Sequence, residues 1–329
     1  MDIRIAMAGL AHGHGTGFLK DALKHEGVKI VGFYDRDNSK AQAASSQFDA
    51  PVFDNLDDLL SSSGANTILT AAVNNEKAPI IIKAIEAGLN IVADKPLVTR
   101  LEDLDAIEAA LEKNPKVKLY LMLTERYNPV LVTAKRLIQD GEIGKIASII
   151  NMRPHRLKPE KRPDWMFDGE KYGGIINDIG VHDIDIACWI SESEIDTILA
   201  SHVSNLRFSQ FSDFEDNGAA MFTLKNGATV FILESWFTPD MYPHHGEMKF
   251  IFHGTNGQIT ADPQNKTVTL YSDTKALHNA KIIEAAEDYV SDPLKYFSHD
   301  DYKPVIDTKD SLRAQRNALL CQSKGQFNK

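Results

Sequence analysis

The sequence predicts an α/β protein: a doubly wound parallel sheet in the first half, and a second domain with a large open, mainly antiparallel sheet. Over about the first 120 residues, short apolar runs alternate with stretches of helical composition. This pattern is typical of a parallel sheet covered on both faces. After about residue 125, short strand-like segments follow one another between turns, as in antiparallel sheets. A length of 329 residues is also long for a single core and favours two domains.

Strands and helices alternate regularly through the predicted first domain, residues 1–124. Its predicted strands are 3–8, 28–34, 67–73, 90–93 and 117–123. Its predicted helices are 17–25, 38–48, 56–62, 78–87 and 101–111. Gly27 and Gly88 each stand between a helix and the next strand, where glycine commonly ends a helix. The segment therefore reads as a doubly wound domain of the nucleotide-binding type.

The predicted second domain, residues 125–329, has a different pattern. Its predicted helices are 129–140, 178–190, 281–290 and 310–323. Its predicted strands are 145–152 and a series of short segments between residues 195 and 271. Residues 153–174 are rich in proline, glycine and charge and are predicted to form a long loop. We expect an antiparallel sheet decorated with helices.

The composition is that of a soluble globular enzyme, with 43% hydrophobic and 25% charged residues. A formal net charge of −10 argues against nucleic acid or an anionic membrane as the main partner. Cys188 and Cys321 lack metal-binding or redox spacing, which fits a reducing cytosol. The sequence shows no signal-peptide pattern and no apolar run of membrane-spanning length. We therefore expect a cytoplasmic protein.

A glycine-rich stretch, GLAHGHGTG at residues 9–17, follows the first predicted strand. Such a turn between a strand and a helix is typical of dinucleotide-phosphate sites. The spacing differs from Gly-x-Gly-x-x-Gly, because Gly9 keeps the first place while Ala11 takes the second and His14 the third. The backbone freedom that the motif requires is then supplied by the other glycines of the stretch, Gly13, Gly15 and Gly17. The residues predicted to lie at the phosphates are Gly9, Ala11, His12, Gly13 and His14.

An acidic residue, Asp35, ends the second predicted strand 26 residues after Gly9. A carboxylate at this place binds the adenosine ribose hydroxyls in dinucleotide domains. The alternative is an aspartate that only caps the following helix. Asp35 would repel a 2′-phosphate, which favours NAD over NADP. The neighbouring Arg36 is able to accommodate that phosphate, so NADP stays an alternative.

A lysine stands at the end of another apolar strand, in Ala93-Asp94-Lys95-Pro96. Ligands bind at the carboxyl ends of strands in such sheets, which places Lys95 at the crevice. Pro96 restricts Lys95 to an extended conformation. The alternative is an ordinary surface lysine at a strand end.

Acidic and imidazole side chains are regularly spaced after Gly173-Gly174. If a helix begins at Asp178, then Asp178, His182 and Asp185 lie on one face. An imidazole oriented by a carboxylate is suited to general acid–base catalysis. Two alternatives stay open. The same spacing suits a metal site with His244 and His245 as further ligands, or a buried His–Asp pair with a structural role only.

The predicted long loop is basic at its start. Residues 153–165 hold six basic side chains, counting His155, against two acidic ones. Arginine recognises carboxylates and phosphates through paired hydrogen bonds, and a tryptophan can stack on a sugar ring. The hypothesis is that His155, Arg156 or Trp165 contacts the substrate, with an acidic or amino sugar as the candidate. The alternative is a solvated loop or a subunit contact.

These motifs together resemble the glucose–fructose oxidoreductase/inositol dehydrogenase/MocA (Gfo/Idh/MocA) superfamily along nearly all of the chain. Asp94-Lys95-Pro96 looks like its Glu-Lys-Pro motif. Residues 173–182 look like its motif of three glycines followed by Asp-x-x-x-His, with Ile175 in the place of the third glycine and one residue fewer before Asp178. Residues 73–77 resemble its Pro-Asn-x-x-His turn, with the proline lost and Lys77 in place of the histidine. Two further segments match in place and order, residues 126–129 and 141–144.

The resemblance implies a Rossmann domain over 1–124 and a substrate-binding domain over 125–329 whose open sheet makes homodimer or homotetramer contacts. It implies hydride transfer between a nicotinamide cofactor and a secondary alcohol or ketone of a sugar, cyclitol or sugar derivative. Lys95 and His182 would be the catalytic pair, with Asp178 as orienting group or substrate ligand. No metal is expected, and the further cofactor contacts would be Asn74, Lys95 and Pro96.

Two other functions stay open within the same resemblance. Some relatives are glycoside hydrolases that use tightly held NAD for a transient oxidation. Others are nucleotide-binding regulators that have lost activity, although Lys95, Asp178 and His182 are all present here.

Overall fold

The computed structural model of the protein describes residues 2–328, with side chains described for 2–325. These residues form two units. The first comprises residues up to Leu123 together with Glu170–Gly173 and Glu287–Arg316. The second comprises Thr124–Gly169, Gly174–Ala286 and the residues from Asn317 on. The first unit therefore includes two short segments from the second half of the chain.

A parallel sheet of five strands, in the order β2-β1-β3-β4-β5, organises the first unit. The strands are β1 (Ile3–Leu10), β2 (Val28–Tyr34), β3 (Thr67–Ala71), β4 (Asn90–Ala93) and β5 (Leu119–Leu121). The intervening helices are α1 (Gly13–Ala22), α2 (Asn38–Phe48), α3 (Leu56–Ser62), α4 (Lys77–Glu86) and α5 (Leu101–Lys113). All residues of β3 and β5 are buried, as expected for strands of a parallel sheet covered on both faces. The predicted doubly wound fold is confirmed.

A mixed sheet organises the second unit, and the described residues contribute nine strands in the order β13-β12-β11-β10-β6-β9-β8-β7-β14. Its first five strands are β6 (Ile146–Pro154), β7 (Ile195–Ser204), β8 (Asn217–Leu224), β9 (Thr229–Ser235) and β10 (Lys249–Gly254). The others are β11 (Gly257–Asp262), β12 (Thr267–Ser272), β13 (Lys275–Asn279) and β14 (Gln326–Asn328). Only the pairs β6–β9 and β7–β14 are parallel among these strands. The prediction of a large, mainly antiparallel sheet is confirmed.

One face of the large sheet is buried by helices. The remaining helices of the chain are α6 (Pro129–Gln139), α7 (Gly169–Tyr172), α8 (Val181–Ser191), α9 (Ser291–Ser298) and α10 (Thr308–Ser323). Helix α8 contacts β6 and β9, and α6 contacts β11 and β12. Every second residue of β8 is buried, as expected for a sheet with one covered face. No helix among residues 2–328 has both the length and the apolar character needed to cross a membrane.

The helix predicted at 281–290 is wrong, since a helix begins only at Ser291. The carboxylate of Asp288 accepts the N–H groups of Val290 (2.7 Å) and Ser291 (2.8 Å). Aspartate that bonds the backbone in this way favours the start of a helix over its interior. The residues before Asp288 therefore do not form a helix, although their composition is typical of one. Helix α1 also begins earlier than predicted, at Gly13 instead of residue 17.

Candidate functional site

Glycines of the loop between β1 and α1 have separate roles. Gly9 has φ +85°, and a Cβ there would lie 2.3 Å from the Cβ of Ala72, so only glycine fits. A Cβ on Gly15 would lie 2.4 Å from Cε of Met7, whereas one on Gly13 would meet nothing within 4 Å. Gly15 therefore allows the close packing of α1 on β1, one position later than the third glycine of the usual motif. The space at Gly13, at the start of α1, lies beside N–H groups that suit a phosphate.

A cavity of about 320 Å³ lies beside this loop within the first unit. It is bordered by the loop, the end of β2 and the start of α4, including Gly9, Ala11, Asp35, Arg36, Val73 and Glu76. The Asp35 carboxylate accepts the N–H groups of Leu10 (2.5 Å) and Asp37 (2.8 Å), which hold it against the loop. The size is within the range of ligand pockets, roughly 300–1,000 Å³. The position at the carboxyl ends of the strands fits the adenosine part of a dinucleotide.

Arg36 is held by an acidic partner at the edge of this cavity. Its Nη1 lies 2.7 Å from Oε1 of Glu76, the residue before α4. An arginine that pairs with a carboxylate is a weaker ligand for a phosphate, because the phosphate must compete with that carboxylate. Together with Asp35, the pair therefore favours NAD over NADP.

Replacing Glu76 with glutamine is expected to raise the preference for NADP relative to NAD by up to roughly 5-fold. The substitution frees Arg36 and removes a negative charge near the expected 2′-phosphate, and an exposed pair contributes up to about 1 kcal/mol. Dissociation constants for both cofactors, measured by calorimetry, check this. Glu86→Gln, at the exposed end of α4, is the matched control. An unchanged ratio in Glu76→Gln would show that Glu76 has no part in cofactor choice.

Asp94, at the end of β4, lies beside two imidazoles of the loop. The side chain is 2% exposed. Nδ1 of His14 lies 3.0 Å from its Oδ1, and Nδ1 of His12 lies 3.5 Å from its Oδ2. Burial opposes ionisation of Asp94, but the hydrogen bond with His14 and the charge of Lys77 lower its pKa below the ordinary value. Asp94 is therefore a carboxylate fixed between the two histidines.

Lys77 lies beneath the Asp94-Lys95-Pro96 segment. It is 1% exposed, and its ammonium donates to Oδ1 of Asn74 (3.1 Å). It also donates to three backbone carbonyls, those of Asp94 (2.9 Å), Lys95 (3.3 Å) and Pro96 (2.7 Å). A buried ammonium surrounded by oxygens is well solvated by the protein. Lys77 thus ties the Asn74 turn to the segment that carries Lys95.

Asp178 and His182 belong to the second unit and lie on either side of a helix junction. A single π-helical turn, Ile176–Gly180, precedes α8, so the prediction of an α-helix beginning at Asp178 is wrong. A π turn bonds residue i to i+5 and is frequent at functional sites. The extra residue breaks the predicted α-helical alignment of Asp178 with the rest of the face. Asp178 is buried and His182 is half-buried.

The sequence predicts that Asp185 shares a helix face with Asp178 and His182. In the structure Asp185 instead forms an ion pair with an arginine. Its two carboxylate oxygens accept from Nε (2.8 Å) and Nη2 (2.6 Å) of Arg126, and both side chains are 2% exposed. Such a bidentate pair neutralises both charges and fixes α8 to the turn Thr124–Tyr127. Asp185 therefore holds the helix that carries His182.

A second ionic cluster surrounds Asp183, the neighbour of His182. Arg153 on β6 donates to Asp183 through Nε (2.8 Å) and Nη2 (2.7 Å), and to Glu125 through Nη1 (2.9 Å). Glu234 on β9 is fully buried beside Asp183. Burial, with the neighbouring Asp183 carboxylate, raises the pKa of Glu234 well above its ordinary value. Burial raises the pKa of Asp183 as well, although Arg153 opposes that rise. The cluster therefore favours the protonated form of Glu234.

Replacing Glu234 with glutamine is expected to weaken the pH dependence of stability. A carboxyl group whose pKa is raised on folding binds a proton in the folded state, so stability falls as the pH rises above the ordinary value of 4.5. The fall is up to about 1.4 kcal/mol per pH unit for this group. Urea unfolding at a series of pH values measures it, with the exposed Glu247→Gln as control. A wild-type slope in Glu234→Gln would refute the neutral carboxyl.

The basic loop residues pack against the segment 240–246. Nη2 of Arg156 donates to the carbonyl oxygens of Tyr242 and His244 (2.9 Å to the latter). The His155 ring centroid lies 4.7 Å from that of His245 and 5.8 Å from that of Trp236, both edge-on. Trp165 is half-buried in the turn Asp164–Phe167. The predicted long loop is thus partly ordered into short helical turns.

The alternative metal site of the sequence is not assembled. Among residues 2–325, one group brings three His, Cys, Asp or Glu ligand atoms within 4.8 Å of one another, and it is His12, His14 and Asp94. His245 instead packs against His155. The sequence analysis did not predict the group of His12, His14 and Asp94, the contacts of Lys77 or the cluster around Arg153.

Sequence profiles of one family match both parts of the chain. A profile described as "Oxidoreductase family, NAD-binding Rossmann fold" matches residues 3–121. A profile described as "GFO/IDH/MocA C-terminal domain" matches residues 131–260. Together they cover more than half of the 329 residues.

Individual relatives agree with the profiles. Glucose-6-phosphate 3-dehydrogenase of Bacillus subtilis is 24% identical over 261 residues, 75% of this chain and 73% of the relative. Inositol 2-dehydrogenase 2 of Saccharopolyspora erythraea is 26% identical over 207 residues, 62% of this chain and 58% of the relative. A crystal structure from Erwinia carotovora atroseptica, provisionally described as an oxidoreductase, is 25% identical with a TM-score of 0.89 and full coverage of both chains. The chain belongs to the Gfo/Idh/MocA family, and it is an oxidoreductase with an NAD-binding Rossmann domain.

Proposed function

We propose that the protein transfers a hydride between NAD and a secondary alcohol or ketone of a sugar, cyclitol or sugar derivative. The observation that carries the proposal is the Asp94-Lys95-Pro96 segment, which buried Lys77 fixes at the carboxyl end of β4. This is the edge of the sheet at which ligands of doubly wound folds bind. The proposed substrate class is supported by the relatives named inositol 2-dehydrogenase 2 and glucose-6-phosphate 3-dehydrogenase.

The proposed cofactor contacts are residues that border the cavity or belong to the loop between β1 and α1. The open space at Gly13 and the first-turn N–H groups of α1 suit the pyrophosphate. The fixed carboxylate of Asp35 suits the adenosine ribose. Asn74 and Pro96 lie in the region tied together by Lys77 and are assigned to the nicotinamide side. Other proposed contacts are Gly9, Ala11, His12, His14, Arg36 and Lys95.

The catalytic roles go to three side chains. His182 takes the hydroxyl proton of the alcohol as general base, and Asp178 stabilises the resulting imidazolium. The Lys95 ammonium donates a hydrogen bond to the reacting oxygen as negative charge develops on it. NAD, when bound, supplies the hydride acceptor. Loss of the proton and the hydride leaves a carbonyl group on the substrate, and the reverse reaction returns both.

We propose that His155 and Trp165 contact the substrate. The arrangement of Arg156 supports an indirect role, because its guanidinium already donates to backbone carbonyls of the 240–246 segment. Arg156 would then shape the wall of the substrate pocket. A contact between Arg156 and an acidic sugar stays the alternative.

We further propose that the open face of the large sheet joins subunits into a homodimer or homotetramer. Phe231 and Leu233 of β9 are each 41% exposed on that face, between buried neighbours. Apolar side chains in a row on an exposed sheet are typical of protein interfaces. A cytoplasmic location is proposed as well, since both cysteines are reduced and buried.

A nicotinamide absorbance screen tests the proposed function. Protein is incubated with NAD or NADP across polyols, inositols, aldoses and their acids, and NADH or NADPH formation is followed. We expect net NADH from at least one compound. Binding of NAD without any turnover would contradict the proposal and favour a regulator. Hydrolysis of a glycoside without net NADH would favour the hydrolase alternative.

A further inference from the structure

We propose that His12, His14 and Asp94 form a binding site for a divalent transition-metal ion of the Zn²⁺ class. Two imidazole nitrogens and one carboxylate are present, and the three ligand atoms lie within 4.8 Å of one another. All three residues belong to the first unit. The site is separate from the catalytic roles proposed for Lys95 and His182, but it shares His12 and His14 with the proposed cofactor contacts.

The spacing of the ligand atoms suits a tetrahedral ion. Bonds of about 2.1 Å to a tetrahedral Zn²⁺ place the ligand atoms roughly 3.4 Å apart. Nδ1 of His14 lies 3.0 Å from Oδ1 of Asp94, and Nδ1 of His12 lies 3.5 Å from Oδ2, the other oxygen of the same carboxylate. One carboxylate oxygen and the two imidazole nitrogens lie within 4.8 Å of one another, so small side-chain rotations bring them to the tetrahedral spacing. Imidazole and carboxylate together suit Zn²⁺, Co²⁺ and Ni²⁺ better than Mg²⁺ or Ca²⁺.

The ligands are held before any ion binds. The Asp94 backbone N–H donates to the carbonyl of Thr70 (2.9 Å), which fixes the carboxylate at the end of β4. His12 and His14 stand at the first turn of α1, with ring centroids 3.9 Å apart. Because their positions are set by one loop, little ordering is needed on binding.

Solvent has access to one side of the cluster. The side chain of His14 is 53% exposed and that of His12 is 33% exposed, whereas Asp94 is buried. An ion with three protein ligands therefore has room for water as the fourth ligand, the arrangement of open zinc sites. The ammonium of Lys77, near the Asp94 backbone, opposes a cation. We therefore expect weaker binding than at a closed structural zinc site.

The rival explanation is a hydrogen-bonded His14–Asp94 pair that binds no ion. The two explanations differ in a spectroscopic signature. A Co²⁺ ion with two imidazoles, a carboxylate and water in tetrahedral geometry absorbs visible light strongly, whereas Co²⁺ in water absorbs weakly. A hydrogen-bonded pair produces no such absorption.

The test is a Co²⁺ titration of the chelator-treated, tag-free full chain, followed by displacement with Zn²⁺ in a calorimeter. We expect one equivalent of Co²⁺ with a tetrahedral spectrum, lost or weakened at least 10-fold in His14→Ala and in Asp94→Asn. His25→Ala, a histidine variant just after α1 in the same unit, should bind as the wild type does. No tetrahedral spectrum in the wild type, or an undiminished one in His14→Ala, would overturn the proposal.

A folding defect in a variant can be distinguished from a loss of metal binding. His14 is exposed, so His14→Ala is expected to fold even if removal of buried Asp94 is not tolerated. Circular dichroism of each variant establishes that it is folded before the titration is interpreted. The titrations of the wild type and of His14→Ala together then decide between the two explanations.

Discussion

Alanine in place of His182 is expected to lower turnover on the order of 10²-fold or more, with NAD binding largely kept. The general base is lost, and a base of this kind contributes about 10²- to 10⁴-fold. Alanine in place of Lys95 is expected to have an effect of similar size, because the developing alkoxide loses a charged donor. Steady-state turnover and calorimetric NAD affinity, measured on the same preparations, check both.

Matched controls separate catalysis from general damage. His253→Ala, on β10 of the second unit, and Lys116→Ala, exposed in the first unit, should both keep wild-type turnover. Full turnover in His182→Ala would remove the histidine from the mechanism. A loss of NAD binding equal to the loss of turnover in Lys95→Ala would make that lysine a cofactor ligand only.

Methionine in place of Lys77 is expected to reduce both stability and turnover. Four oxygens, three of them in buried contacts, lose a charged donor, and a bond to a charged group contributes about 1.5–3 kcal/mol. We expect the free energy of unfolding to fall by about 2–4 kcal/mol. Turnover should fall by on the order of 10-fold or more, because the backbone of Lys95 is no longer fixed. Urea unfolding and kinetics measure the two effects.

The Lys77 prediction has a control and a rescue. Lys83→Met removes an exposed lysine from the same helix, where its pair with Asp57 is on the surface, so stability should change by at most about 1 kcal/mol. Lys77→His restores the residue type of the family motif and should recover part of the turnover. A Lys77→Met variant as stable as Lys83→Met would contradict the buried network.

Much of the fold was predictable because its elements are marked locally. The helices 38–48 and 56–62 have the predicted bounds, since Asp37 and Asn55 accept N–H groups at their first turns. The strands of the parallel sheet are mostly apolar, so they could be predicted without knowledge of their neighbours. The prediction of a helix at 281–290 was wrong because composition was given more weight than Asp288, whose carboxylate bonds the backbone of the turn before α9.

The environment of the catalytic candidates was less predictable because the partners are distant in sequence. Arg126 and Asp185 are 59 residues apart, and Arg153 and Asp183 are 30 apart. A regular spacing of acids on a predicted helix does not tell which of them face an arginine. One clue was available at the loop, since Gly15 stands one residue beyond the expected third glycine. Its packing role required the position of Met7 to be known.

The central claim is direct hydride transfer from a substrate carbon to NAD. Isotope tracing tests it most directly, with the best substrate of the screen carrying deuterium on the carbon to be oxidised. The NADH formed is purified and its mass is measured. The account predicts NADH heavier by one retained deuterium, with the label absent from the water. Unlabelled NADH, or deuterium released to the solvent, would contradict it.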